Sequence, residues 1–159
     1  MNILSCRVDE RLVHGQYVRE WLVYYRPAQL IIIDDELMDD EFMSMVYKAL
    51  APLWIQTHVL TQAGAAAYLR EQKDSGEGVM ILAKTPAPFV TLCEQDIGIE
   101  RVTLADKMYF SNRLKLPPKI RASLAELIRQ GIDVAAQISP TDEAVAIEIK
   151  LETDKRDAT

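Results

Sequence analysis

The segment ILSCRVDERLVHGQYVREWLVYY (residues 3–25) decides the fold, because it joins a short apolar strand, a polar loop and an amphipathic helix in succession. Residues 3–6 predict the strand, and apolar residues recur at helical spacing over residues 17–25. His14 therefore lies at the start of the helix. Backbone N–H groups in a first helical turn lack intrahelical acceptors, and the helix dipole adds roughly half a positive charge. This position favours an anion such as a phosphoryl group.

The chemistry predicted for His14 depends on its neighbours. Imidazole is substantially neutral near physiological pH and can attack phosphorus as a nucleophile. Arg7 and Arg11 would hold the phosphoryl oxygens, because a planar guanidinium binds oxyanions in a bidentate manner. Asp9 would accept a hydrogen bond from one ring nitrogen and leave the other free to react. We therefore interpret these four residues as a candidate phosphoryl-transfer site.

The residues flanking His14 add to this interpretation and also leave an alternative. Val13 and Gly15 are candidate phosphate-binding residues at the entrance of the helix, while Glu10 is expected to face solvent. In the alternative, His14 is only a polar residue at a helix start, and Arg7 and Asp9 form a surface ion pair. The density of arginine, aspartate and glycine around the histidine favours the functional interpretation.

Residues 7–16, RVDERLVHGQ, resemble the R-[IV]-D-x-R-[LI]-[IV]-H-G-Q signature that opens the IIB component of the mannose/fructose/sorbose family of the bacterial sugar phosphotransferase system. Weaker resemblance extends over residues 2–148. It implies that His14 is phosphorylated transiently by a IIA protein or domain. It further implies that the phosphoryl group passes to a sugar entering through membrane IIC and IID components. The expected activity is that of a protein-phosphohistidine-sugar phosphotransferase subunit.

Length and composition exclude several other classes of protein. With 159 residues, 49% of them hydrophobic, the chain is long enough for one domain and too short to promise two. A formal charge of −6 and an isoelectric point near 5.0 argue against a nucleic-acid-binding protein. Cys6 and Cys93 predict reduced thiols, and we expect no metal and no cofactor. Without a signal peptide or an apolar run near about 20 residues, the chain is expected to be cytoplasmic and not inserted in the membrane.

Alternating strands and helices predict an α/β fold, an open and mainly parallel twisted sheet with helices on both faces. Residues 1–150 are expected to form a single domain and residues 151–159 a charged tail. The candidate strands are Ile3–Cys6, Leu30–Asp34, Ile55–Leu60, Val79–Ala83, Arg101–Leu104 and Ile132–Ile138. The candidate helices are Tyr17–Tyr25, Asp39–Leu50, Gln62–Glu71, Pro86–Gln95 and Pro118–Gln130.

The active site of such a sheet is expected at the carboxyl edge of the strands. Asp34 and Asp35 end the second strand, and Lys84 and Thr85 end the fourth, so these residues are candidates for the rim of the site. Each has a structural alternative: helix capping and solubility for the two aspartates, an N-cap for Thr85 and simple solvation for Lys84.

The segment after the fifth strand departs from the family pattern. Many relatives have Asn-[IV]-Gly-Gly-Met there, whereas this chain has LADKM at residues 104–108. Asp106 and Lys107 replace both glycines, which removes backbone freedom, and they are further candidates for the rim. The altered segment 104–118 leaves a second hypothesis open, a regulatory or binding module that keeps the fold and reports phosphorylation state.

Two further groups of residues have structural interpretations. His58 is expected to be a half-buried or exposed strand residue, since no cysteine or carboxylate at ligand spacing accompanies it. The second group is expected to build the core or a surface for a partner; its members are Met38, Met43, Met45, Tyr47, Leu50 and Trp54.

Overall fold

Seven strands form one sheet in the computed structural model, which describes residues 1–105 and 116–149. The strands are β1 (Asn2–Val8), β2 (Gln29–Ile33), β3 (Gln56–Leu60), β4 (Gly78–Ala83), β5 (Arg101–Leu104), β6 (Asp133–Ala136) and β7 (Val145–Ala146). Their order across the sheet is β3-β2-β4-β1-β5-β6-β7. Every pairing is parallel except that of β7 with β6. The predicted α/β class and mainly parallel sheet are thus confirmed.

Helices cover both faces of the sheet. The first, α1, is a π-helical stretch, Tyr17–Leu22, continued by Val23–Tyr25. The others are α2 (Asp35–Met38), α3 (Glu41–Leu50), α4 (Gln62–Glu71), α5 (Ala87–Glu94) and α6 (Pro118–Arg129). Buried side chains of α1 and α2 pack on one face and those of α4, α5 and α6 on the other.

The central strands are apolar along their whole length because both of their faces are buried. In β2, Ile31 and Ile33 point to one core cluster, while Leu30 and Ile32 point to the other. All four side chains are at most 1% exposed. This period of two fixes the register of the sheet, because a slip of one residue would exchange the two faces.

The predicted helix Asp39–Leu50 is confirmed as α3, and the short α2 before it was not predicted. Two aspartates each cap one of these helices. Asp34 accepts a hydrogen bond from Leu37 N (2.8 Å), and Asp40 accepts one from Met43 N (3.0 Å). The predicted strand Ile132–Ile138 is shorter than expected, and the two-residue β7 was not predicted.

The connections define where a ligand site belongs. The chain leaves β1 toward β2 and leaves β5 toward β6, in opposite directions along the sheet, although β1 and β5 are neighbours. A crevice opens beyond the carboxyl ends of strands at such a topological switch point. The loop that carries His14 follows β1 and therefore borders this crevice.

Three predictions fall on residues that the structure does not describe. Asp106 and Lys107 lie outside the described residues, as does the tail 151–159. The hypothesis based on segment 104–118 rests mainly on residues 106–115, which are also outside them. Among the described residues, none of the helices has the length and apolar character to cross a membrane.

Candidate functional site

The loop between β1 and α1 is held by its own backbone and by two buried side chains. Asp9 N donates to Ala83 O on the neighbouring strand (2.9 Å), and Leu12 N donates back to Asp9 O (3.0 Å). Leu12 has a positive φ of 53°, a conformation that a leucine adopts only under constraint. Leu12 and Val13 are buried in the core cluster under α1. Their burial compensates the backbone strain and fixes the position of His14.

Asp9 orients the imidazole of His14. His14 Nε2 lies 2.6 Å from Asp9 Oδ2, and the side chains are 18% and 5% exposed, respectively. A carboxylate can only accept a hydrogen bond, so this contact requires the ring proton on Nε2. Nδ1 is then the nitrogen with the free lone pair. The predicted role of Asp9 corresponds to this geometry.

The helix start supplies backbone donors next to the ring. The first helical hydrogen bond joins Val18 N to His14 O (3.0 Å), so the N–H groups of Gly15, Gln16 and Tyr17 precede it and have no intrahelical acceptor. Gly15 also leaves room for Arg19, since a β-carbon on Gly15 would lie 2.9 Å from Arg19 NH1. A guanidinium that was not among the predicted residues therefore lies against the same turn.

Arg11 is the accessible arginine of the loop. Its side chain is 58% exposed, and its Nε lies 3.4 Å from Asp9 Oδ1. Its backbone N also donates to Asp9 Oδ1 (2.9 Å), so the aspartate organises Arg11 and His14 together. No hydrogen bond of the two terminal Arg11 nitrogens is found within residues 1–105 and 116–149. They remain available to phosphoryl oxygens.

Arg7 was predicted to bind phosphoryl oxygens or to pair with Asp9 at the surface. In the structure Arg7 is only 3% exposed, and its terminal nitrogens donate hydrogen bonds to acceptors of the protein. NH1 donates to Thr103 Oγ1 (3.2 Å) and Gln137 O (2.8 Å), while NH2 donates to Ile138 O (3.2 Å). The guanidinium carbon lies 3.8 Å from the ring centroid of Trp21. A surface ion pair with Asp9 is wrong, and Arg7 instead joins β1 to the end of β6.

A cavity of about 490 Å³ opens beside His14 at the switch point. The loop residues line one side of it, and Ala105 and Ile138 line another. Arg7 and Tyr17 also line it, and each has a buried donor without a partner among the described residues, Arg7 Nε and Tyr17 Oη. Two such donors at one cavity indicate a site for an acceptor-rich ligand or for water.

Burial also sets the protonation states of these two groups. It lowers the pKa of Arg7 to about 10, which keeps the guanidinium charged near neutral pH. Burial raises the pKa of Tyr17 above its ordinary value, so the hydroxyl keeps its proton. Both groups therefore remain donors. Tyr17 was predicted only from its helical spacing, and the sequence contains no signal for its role as a donor.

Of the residues predicted for the rim of the site, the four that the structure describes, Asp34, Asp35, Lys84 and Thr85, do not line this cavity. Asp34 caps α2 and lies 3.6 Å from Lys84 Nζ, and Asp35 Oδ1 accepts a hydrogen bond from Gln62 N (2.8 Å). Thr85 is not a helix cap, since the N-cap of α5 is Pro86 and lacks a side-chain cap. Asp34 thus has the geometry of the capping alternative, whereas Asp35 joins α2 to the start of α4.

Two other features lie away from this site. His58 is half-buried on β3, where Nε2 lies 3.1 Å from Tyr68 Oη, as expected for a strand histidine. Burial, with the nearby Lys48, lowers the pKa of His58. A larger cavity of about 790 Å³ opens around the amino-terminal half of β1, and no residue of the His14 loop lines it.

Comparisons with known proteins identify the family and the fold. The profile of the family described as "PTS system sorbose subfamily IIB component" matches residues 3–158. The fructose-specific EIIB component of Bacillus subtilis is 23% identical over 150 residues, covering 94% of this chain and 88% of that protein. The mannose-specific EIIAB component of Escherichia coli is 26% identical over 148 residues, covering 89% of this chain and 46% of that longer protein. The IIBSor domain of the sorbose permease from Klebsiella pneumoniae has the same fold, with a TM-score of 0.81, 22% identity and coverage of 91% of this chain and 93% of that one.

Proposed function

This chain belongs to the sorbose-type IIB family of the bacterial sugar phosphotransferase system, and we propose that Nδ1 of its His14 carries the phosphoryl group. IIB components are phosphotransferase subunits in sugar transport, and the chain has that role. The observation that carries the assignment is the 2.6 Å contact between His14 Nε2 and Asp9. This contact holds the ring in the tautomer that leaves Nδ1 nucleophilic.

The proposed acceptance step uses a phosphohistidine of the IIA partner as donor. Nδ1 attacks phosphorus and forms a new N–P bond. The donor N–P bond breaks, and its electron pair returns to the donor imidazole. Asp9 stabilises the positive charge that develops on the His14 ring while the bond forms.

The proposed ligands of the phosphoryl oxygens come from three groups at the cavity and from Arg19, which lies beside Gly15 and does not line it. The free N–H groups of the first turn of α1 and the helix dipole provide a fixed anion site. Arg11 adds an accessible guanidinium, and Arg19 lies against Gly15 at the same turn. Tyr17 Oη provides a buried donor without another partner among the described residues. In-line positioning and charge neutralisation are then the chain's main contributions.

The delivery step reverses this chemistry with a sugar hydroxyl as acceptor. The hydroxyl oxygen attacks phosphorus and loses its proton to solvent, the P–N bond of His14 breaks, and its electron pair returns to Nδ1. The family implies interaction with IIA and with membrane IIC and IID components. We infer that the chain acts at the cytoplasmic side of the membrane, where the same His14 edge meets the two partners in turn.

Reconstitution tests the proposal. The purified chain is incubated with phosphoenolpyruvate, the general phosphotransferase proteins and a sorbose-family IIA, and acid-labile phosphate is measured. His14→Ala should abolish labelling without unfolding the protein, because the residue lies in a surface turn. His58→Ala is the matched control, since it changes the other histidine of the chain. Labelling that persists in His14→Ala, or that is lost only in His58→Ala, would overturn the assignment.

A further inference from the structure

All but one of the exposed large apolar side chains in the described residues lie between residues 23 and 54. The most coherent group is at the carboxyl edge of the sheet, where Phe42 is 72% exposed, Met45 is 67% exposed and Met38 is half exposed. Phe42 and Met45 lie three residues apart on α3 and share one outward face. Met43 and Tyr47, on another face of α3, pack against the core. Among the described residues, these exposed side chains therefore take no part in the core.

Negative charge is concentrated in the residues that lead into this apolar group. Five exposed carboxylates occur within seven residues: Asp35, Glu36, Asp39, Asp40 and Glu41. No lysine or arginine occurs anywhere in residues 27–47. None of the five is in an ion pair among the described residues: Lys84 pairs with Asp34, and Lys48 lies on α3 one turn after Met45. We call these carboxylates together with Met38, Phe42 and Met45 the α2–α3 patch.

The α2–α3 patch is continuous with the phosphoryl-transfer site along the edge of the sheet. His14 contacts Asp9, whose backbone N donates to Ala83 O at the end of β4. The next residue, Lys84, lies 3.6 Å from Asp34, the cap of α2. β1, β4 and β2 are consecutive neighbours, so α2 begins about 10 Å along the edge from the His14 loop. A partner that covers His14 can cover both.

We propose that the α2–α3 patch docks on the cytoplasmic surface of the membrane component during phosphoryl delivery and is not needed for phosphoryl acceptance from IIA. The proposal rests on the function proposed above. Cytoplasmic loops of membrane proteins are enriched in lysine and arginine. Their positive charge complements the five carboxylates that lie next to the apolar side chains of the patch. Exposed methionines adapt to such a surface because their side chains are flexible and polarisable.

Charge argues against two other occupants. Anionic headgroups of a cytoplasmic leaflet would be repelled by five carboxylates. In a two-fold contact centred on the patch, the carboxylates of one copy would meet those of the other. An anionic lipid surface or a second copy of the patch would bind more tightly to a surface that carried positive charge.

Two variants test the apolar and the charged part separately. Phe42→Ser with Met45→Ser removes the apolar centre. Glu36→Lys with Asp39→Lys reverses charge while leaving the capping residues Asp34, Asp35 and Asp40 unchanged. The matched controls are Leu53→Ser, a fully exposed leucine beyond α3, and Glu71→Lys with Glu94→Lys, the same charge change at exposed positions of α4 and α5.

Two rates are measured for each protein: labelling of His14 by phosphorylated IIA in solution, and sugar phosphorylation by membrane vesicles containing IIC and IID at increasing concentrations of the chain. Both patch variants should raise the apparent KM for the chain in the vesicle assay at least tenfold and leave labelling by IIA within twofold, with the controls like wild type. The defect of the charge variant should shrink at high salt, which screens the wild-type attraction.

Each other outcome overturns the proposal. An equal loss in the IIA step assigns the patch to IIA. Equal binding of wild type to protein-free anionic vesicles assigns it to lipid. A concentration-dependent dimer that the Phe42→Ser, Met45→Ser variant abolishes assigns it to a second copy, and unchanged KM values remove any docking role. Absence of labelling in the wild-type chain would instead refute the function proposed for His14.

Discussion

Asp9→Asn tests the orientation of His14 directly. Arg11 N lies 2.9 Å from Asp9 Oδ1, and this backbone donor should hold the amide oxygen of the asparagine at the same place. The asparagine NH₂ group then faces His14 Nε2, where Asp9 Oδ2 now lies at 2.6 Å. A donor at that place requires a lone pair on Nε2. The ring proton moves to Nδ1, the nitrogen proposed to attack phosphorus.

The size of the effect follows from the two hydrogen bonds. An imidazole N–H bond to a carboxylate contributes about 1.5–3 kcal/mol, and an amide N–H bond to imidazole contributes about 1 kcal/mol to the opposite tautomer. The tautomer equilibrium is displaced by about 2.5–4 kcal/mol. The wild-type ring is already in the reactive tautomer, so the rate depends on the fraction that stays reactive in the variant, about one ring in six at about 1 kcal/mol. Phosphorylation of His14 should therefore slow by at least about fivefold, and by more because the imidazolium that forms no longer faces a carboxylate. Loss of the Asp9 charge eases approach of the phosphoryl anion, but Arg11 already offsets part of that charge.

The assay is rapid-quench labelling by phosphorylated IIA, with ¹⁵N chemical shifts of His14 to report the tautomer. Asp34→Asn is the matched control, because it removes another carboxylate at the same edge and asparagine caps a helix equally well. Thermal unfolding checks that both variants are folded. The reasoning is refuted if Asp9→Asn is labelled within threefold of wild type, or if its His14 keeps the proton on Nε2.

Three further substitutions have distinct expected results. Arg11→Lys keeps the charge but loses the bidentate geometry, so labelling should slow by about tenfold or more, and a wild-type rate would mean that charge alone suffices. Tyr17→Phe removes a buried hydroxyl that has no partner among the described residues. The variant should melt about 3–6 °C higher than the unphosphorylated wild type and should transfer the phosphoryl group more slowly. A lower melting temperature would show that water satisfies the hydroxyl. Arg7→Met leaves Gln137 O without its side-chain donor and Ile138 O with Trp21 Nε1 alone, and it should lower the free energy of unfolding in urea by about 2–4 kcal/mol. An unchanged midpoint would exclude this structural role.

The His14 loop and the sheet could be predicted from sequence because their signals are local. The strand-loop-helix order of residues 3–25 places His14 at a helix start without any knowledge of the rest of the chain. The apolar run of β2 likewise requires two covered faces, which only a central strand of a layered fold provides. Asp9 and His14 lie five residues apart in one turn, so their contact was also within reach of the sequence.

The role of Arg7 could not be predicted, because its acceptors are distant in the chain. The carbonyls of Gln137 and Ile138 lie 130 and 131 residues away and reach Arg7 only after β6 is placed in the sheet. The sequence shows an arginine near the end of a strand, which is compatible with a phosphate ligand or an exposed ion pair. Only tertiary structure shows that it is buried with protein acceptors.

Other differences have local causes that sequence patterns underdetermine. Asp34 and Asp40 are both good N-caps, so the segment that follows β2 can form one helix or two. Packing of Leu37 into the core decides for two. Arg19 lies four residues after Gly15, a spacing that brings two helical residues together. The contact could therefore have been predicted, but the motif interpreted around His14 ends at residue 16.

The difference in burial between Arg7 and Arg11 fits the need to accept a phosphoryl group and then release it. Arg7 is fixed by three hydrogen bonds and by Trp21, so it contributes a constant positive potential to the cavity wall and cannot follow a departing group. Arg11 is largely exposed and contacts Asp9 only at 3.4 Å, so it can engage the phosphoryl oxygens on arrival and return to Asp9 on departure. A second rigid arginine would bind the phosphorylated state more tightly and oppose delivery, since ground-state binding does not accelerate transfer. The exposed arginine, rather than the buried one, is therefore the residue through which the site can bind the group without retaining it.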